Sequence, residues 1–297
     1  MKRYASLAAL AGLLVWAGTV LAQEAVTIKL KEKAEGAAYQ IDKVETGTVA
    51  TKFTIMGQAK EDTKKMSEAT AYKETVQKVD DKKHPTKLER EYTKAEKTAD
   101  GKTEKSPLQG KTVVIEKKGD KYTFTYKGGE EVTGEAAEGL NKEFNKNAHE
   151  DDLDKLLMPK NAVKPGDEWK IDMNAVAKYF AAGEDIDVDG DKSTGTGKLL
   201  KVYKKDDKTF GELRYTVKVP LTSFGQGKLK MTVKDGSTVT FEVRQDVCID
   251  GTSDAGVVRS KTELSAKGTV PTPQGDGELM LTVLREVQET RKDVPKK

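Results

Sequence analysis

The stretch Leu213-Arg214-Tyr215-Thr216-Val217-Lys218-Val219 decides the fold. Leu213, Tyr215, Val217 and Val219 alternate with Arg214, Thr216 and Lys218. Successive side chains of a strand point to opposite faces, so this is a strand with one apolar and one polar face. Leu229, Met231 and Val233 repeat the alternation, as do Val239, Phe241 and Val243, and again Leu279, Leu281 and Val283. Turn formers separate these runs: Lys205-Asp206-Asp207-Lys208, Asp235-Gly236, Asp250-Gly251, Pro271-Thr272-Pro273 and Gly275-Asp276-Gly277. From about Gly195 to Gln288 the sequence therefore predicts six strands in an antiparallel meander buried on one side only. Such a sheet must curl, pair with a second sheet or be covered by helices.

The same reading extends upstream. Val26, Ile28 and Leu30 alternate with Thr27, Lys29 and Lys31 and predict a first strand. A second runs through Tyr39 and Ile41, and a third through Val49, Thr51, Phe53 and Ile55 to Gly57. Lys60 to Lys105 is ambiguous, because Met66, Ala69, Val76 and Val79 also fit helical spacing. The Asp80-Asp81 and His84-Pro85 turn and the frequent Thr and Tyr favour two long, mostly solvated strands over a hairpin of charged helices. Val113–Glu116 and Tyr122, Phe124 and Tyr126 flank Lys117-Lys118-Gly119-Asp120 as a β-hairpin.

The period then changes. Ala136, Leu140 and Phe144 lie four apart, a helical stripe. Leu153, Leu156 and Leu157 form a second stripe, with Asp151 and Asp152 where acidic side chains meet the positive end of the helix dipole. Met173 to Ala182 predicts a third helix, with Val176, Tyr179 and Phe180 inward. The expected fold is mainly β (α+β): a curved antiparallel sheet or half-barrel meander with a short helical insertion covering one face. The expected divisions are residues 23–134 (β-rich with a charged hairpin), 135–183 (helical insertion), 184–290 (meander) and 291–297 (flexible tail).

Residues 1–22 read as a signal peptide: Lys2 and Arg3, an apolar run to Leu21, and Val20-Leu21-Ala22 before Gln23. The apolar run is short for a membrane span and ends abruptly, so no transmembrane anchor is expected after cleavage. No Cys follows it to carry a lipid. The expected location is periplasmic or extracellular. Cys248 is the single cysteine, which forbids an internal disulfide and reads as a small buried hydrophobe.

Charged residues make up 34% of the chain and hydrophobic ones 36%, with a formal net charge of +3. That near-balance excludes nucleic acid as a partner, since phosphate recognition needs concentrated Lys and Arg. No phosphate-binding loop, nucleophile elbow or zinc signature is present. His84 and His149 lack catalytic or zinc neighbours in sequence, so no catalytic residue is assigned and an enzyme is the least supported reading. Trp169, beside Pro165-Gly166, is read as core packing.

Asp185, Asp187, Asp189 and Asp191 surround Gly190 with the spacing that opens an EF-hand calcium loop. The similarity stops there, because Thr196 stands where the bidentate Glu belongs and a strand follows in place of a helix. A solvated acidic turn is preferred over a weak calcium site, and no other cofactor is expected.

Val163-Lys164-Pro165-Gly166-Asp167-Glu168-Trp169, with the signal peptide and the β-rich halves, resembles a family of exported bacterial proteins of planctomycete type. The resemblance implies no activity and no functional residues. A looser likeness, in architecture alone, is to periplasmic lipoprotein carriers, whose curved sheet closes over helices. Two functional expectations follow. The favoured one is a non-catalytic structural or interaction protein of the cell envelope, contacting an envelope protein through the charged strands from Lys60 to Lys105. The alternative is a periplasmic carrier holding a lipid or other apolar small molecule against Leu213, Tyr215, Leu229, Met231 and Phe241 on a concave sheet face.

Overall fold

The computed structural model describes residues 24–146, 150–181, 186–225, 231–272 and 275–295. The strands are β1 (Ala38–Ile55), β2 (Gln58–Val79), β3 (Pro85–Ala99), β4 (Lys102–Lys105), β5 (Thr112–Lys118) and β6 (Lys121–Tyr126). Helix α1 (Gly134–Asn141) runs into a π-helical turn at Lys142–Lys146, and α2 (Glu150–Leu157) follows. The remaining elements are β7 (Glu168–Lys170), α3 (Met173–Ala181), β8 (Ile186–Val188), β9 (Thr194–Lys205), β10 (Lys208–Phe224), β11 (Met231–Val233), β12 (Thr238–Cys248), β13 (Gly256–Thr272) and β14 (Gly275–Asp293).

All of the strands belong to one antiparallel sheet, which does not close into a barrel. Each half is a meander of near-sequential neighbours. The two halves join where β1 pairs with β14 from Tyr39↔Asp293 to Thr54↔Glu278. The order is then β6-β5-β3-β2-β1-β14-β13, followed by β12 and β11, then β10, β9 and β7. β11 and β12 are one strand interrupted at Lys234–Ser237, since both lie between β10 and β13. Tight turns set the registers. In the β9–β10 connection Asp206 and Asp207 take φ 50° and 59°, the paired left-handed conformation of a type I′ turn, whose twist matches that of the flanking strands.

The expected meander is present, as are the three helices, and residues 60–105 form strands. Three details differ. Val26, Ile28 and Leu30 do not make a strand. They lie in an extended segment held by isolated bridges, Val26 to Val163 and Lys29 to Asp250, whose partners lie outside the strands, so neither bridge extends into a ladder. The strands expected at Tyr39 and at Val49 are one continuous β1 of 18 residues, since both of its neighbours pair with it throughout. β14 runs on through Asp293, so the first residues of the expected tail are sheet.

The apolar face carries the core. In the N-terminal half Tyr39, Ile41, Tyr72, Val76, Leu88, Tyr92, Val113, Ile115 and Phe124 pack beneath Ala136 and Leu140 of α1. Strands β2 and β3 are thus solvated on one face and along the Gln58–Lys65 end of β2, not throughout. In the C-terminal half Leu199, Leu213, Tyr215, Val217 and Val243 pack beneath Leu157 of α2, Val176 of α3 and Trp169 of β7.

Candidate polar-face site

Two arrangements concentrate chemistry. The first is a buried ionic row on the core face. Glu74 and Arg90 oppose each other across β2 and β3, and the Arg90 Nε donates to Glu74 Oε2 at 2.7 Å. Glu143, on the π-helical turn, takes the other end of the guanidinium at 2.8 Å. The Tyr72 and Phe144 rings lie 4.5 and 4.7 Å from its carbon. Burial pulls the Arg90 pKa down, but Glu143, Tyr72 and Glu74 outweigh it and hold it well above the ordinary value. Burial raises Glu74, and Arg90 and Arg291 reverse that, leaving its carboxyl below the usual range. Every charge here is matched, and Glu74 and Arg90 are enclosed by packed side chains while Glu143 closes the row at the surface, so the row is structural.

The second arrangement lies on the opposite, polar face. Residues paired across an antiparallel ladder share a face. Lys198 pairs with Arg214, Arg214 with Arg244, Arg244 with Arg259, and Arg259 with Gln288. Four cations therefore stand side by side on β9, β10, β12 and β13. Like charges directly opposite repel, which makes the row costly unless anions neutralise it. Lys198 is paired to Glu168 at 2.9 Å, and the Arg244 Nε donates to Glu212 Oε1 at 2.6 Å. The Arg259 Nε reaches only the neutral Gln288 Oε1, at 3.3 Å. Arg214 is exposed and has no ion-pair partner among the described residues.

A groove of about 660 Å³ crosses the strands here, from Arg214 and Thr216 on β10 to Val44 and Thr46 on β1. Glu242, Arg244, Arg259, Lys261, Glu286 and Gln288 line it. Acidic side chains border the cationic row on both sides: Glu212 and Asp246 two residues along one way, Glu242 two residues along the other. The sequence marked Arg214 and Lys218 as polar-face residues, but the cationic row itself was not legible. Only the strand registers align Arg214 with Arg244 and Arg259. The place of Arg244 in the alternating run after Val239, Phe241 and Val243 was the one available signal.

The residues selected from sequence are distributed differently. Leu213 and Tyr215 are 0% exposed and Met231 is 2% exposed. No water-sized space touches the first two, so they are core and not the wall of an apolar cavity. Phe241 packs at the edge of the same core, and Leu229 lies outside the described residues. Trp169 is core-packed as expected: its indole Nε1 donates to the Leu157 carbonyl at 2.8 Å, and its ring meets Tyr215 edge-on.

In the acidic loop, Asp185 lies outside the described residues. Asp187, on β8, accepts from the Ser223 hydroxyl, while Asp189 accepts from the backbone N–H and the ammonium of Lys192. The hydrogen bonds of Lys192 hold the Asp189 carboxyl below its ordinary value. Asp191 is exposed, and no three carboxylates converge among the described residues. Cys248 is buried, with its thiol against Asp250. His84 caps the β2–β3 turn through its backbone N–H to Asp80, and His149 is outside the described residues.

No family model and no curated protein matches this chain. Among solved structures it was compared with an outer membrane channel from Pseudomonas putida F1. That comparison covers 87% of this chain and 97% of the other at 10% identity, with a TM-score of 0.16. At that score the two folds do not superpose, and the likeness carries no argument. No helix among the described residues is long and apolar enough to cross a membrane.

Proposed function

We propose that this chain is an exported, non-catalytic interaction protein of the cell envelope, and that its binding surface is the polar face of the sheet. The observation that carries this reading is the groove crossing five strands, on the face away from the core, lined by charged, hydroxyl and amide side chains together with the exposed Val44. A sheet of this width needs only one face to bury its apolar residues. Setting Arg214, Arg244 and Arg259 directly opposite one another on the other works against folding stability and is accounted for by a partner. The strongly perturbed groups of the ionic row, Arg90, Glu74 and Tyr72, are enclosed by packing and do not face a cleft, which supports a binding role over catalysis. The leader-like residues 1–22 support export.

The test is photo-crosslinking in intact cells from a benzoylphenylalanine placed at Thr216 or Thr46 in the groove, with Lys60 on β2 as the control position. Adducts with an envelope component from the groove positions alone are expected. A protein that stays in the cytosol, or that gives the same adducts from Lys60, would overturn the reading.

A further inference from the structure

We infer that the cationic row binds a linear acidic polysaccharide carrying one carboxylate per sugar, laid across the strands. The inference rests on the interaction reading above and names its partner. Neighbouring strands stand about 4.8 Å apart, so Arg214 and Arg259, the two cations of the row that no carboxylate among the described residues holds, stand two strands or about 9.6 Å apart on either side of Arg244. In an extended pyranose chain with alternating rings, a carboxylate returns to the same side at every second ring, a comparable distance, which lets same-side carboxylates meet Arg214 and Arg259.

Other polyanions fit less well. An extended acidic peptide puts same-side carboxylates about 6.8 Å apart, two residues at a time. A nucleic acid duplex carries a charge every ~1.7 Å and is far denser than the row. Glu212, Asp246 and Glu242 border the row with negative charge on β10 and β12. They repel a broad anionic surface such as a duplex or a membrane. Arg is suited to the task, since its planar fork takes a carboxylate in two parallel hydrogen bonds. The hydroxyls of Thr46 and Thr216 and the amide of Gln288 line the same groove and match sugar hydroxyls.

The experiment is titration of the purified protein with polygalacturonate at low salt, beside dextran, poly-L-glutamate and single-stranded DNA. The Arg214→Gln/Arg259→Gln variant is titrated in parallel. Both side chains are exposed, so the variant should fold, with a thermal midpoint equal to or above that of the wild type. Lys60→Gln/Lys64→Gln on β2 serves as a charge-matched control. The expected result is polygalacturonate binding that weakens with salt, falls tenfold or more in the Arg variant and persists in the control. Full binding by the Arg variant, equal binding of dextran, or tighter binding of poly-L-glutamate or DNA overturns the inference. If polygalacturonate does not bind while groove crosslinks to the envelope persist, this inference falls and the interaction reading stands. If both are absent, both fall.

Discussion

Arg90 and Glu74 face each other on adjacent strands, 2.7 Å apart, at 5% and 6% exposure, and the same guanidinium closes onto Glu143 of the π-helical turn. This pairing ties β2 and β3 to the helical cover above them. A buried pair stripped of one member leaves an uncompensated charge. Arg90→Met should therefore lower stability by about 3–5 kcal/mol in chemical denaturation. Glu74→Leu combined with Arg90→Met should recover most of that loss, because the charge then left without its partner is Glu143, whose side chain is solvated.

The pH dependence of the same pair has a definite sign. Glu74 has a lowered carboxyl pKa in the fold, so its contribution is present above the ordinary value of about 4.3 and is lost as pH falls through its folded value. Acid unfolding of the wild type should steepen below about pH 4. Glu74→Gln should flatten that limb, as followed by circular dichroism.

Gly197 sits under the indole of Trp169. A methyl group there would stand 2.2 Å from the ring carbon Cε2. Gly197→Ala must displace the indole and break its hydrogen bond to Leu157, at a cost of about 1–3 kcal/mol. Trp169 is the only Trp outside residues 1–22, so its emission should shift to the red in the variant once the leader has been removed.

The β9–β10 turn holds Asp206 and Asp207 in the left-handed region, which costs an L-residue about 1 kcal/mol. Asp207→Gly should raise the thermal midpoint. Asp206→Val should lower it, because a β-branched side chain tolerates that conformation least.

Much of the fold was legible because alternation is a local signal. The run from Leu213 to Val219 and the Asp206-Asp207 turn specify strand, face and hairpin within a few residues. The stripe of Ala136, Leu140 and Phe144 did the same for the first helix. The segment from Met66 to Val79 was ambiguous, since its apolar spacing suits a strand and a helix alike. Pairing on both sides, to β1 and β3, selects the strand. Val26, Ile28 and Leu30 alternate just as clearly, yet the segment meets Val163 and Asp250 through single bridges and not a strand through a ladder.

What the sequence by itself determined is a β-rich chain, with helices between two strand-rich halves and an apolar face on each half. What only the tertiary structure decided is which residues meet across strands. Glu74 meets Arg90, Asp293 meets Tyr39, and Arg214 stands beside Arg244 and Arg259 because long antiparallel registers bring together positions far apart in the chain. A shift of one residue would move any of them to the other face. For that reason the ionic row and the cationic row are properties of register, which no local pattern encodes.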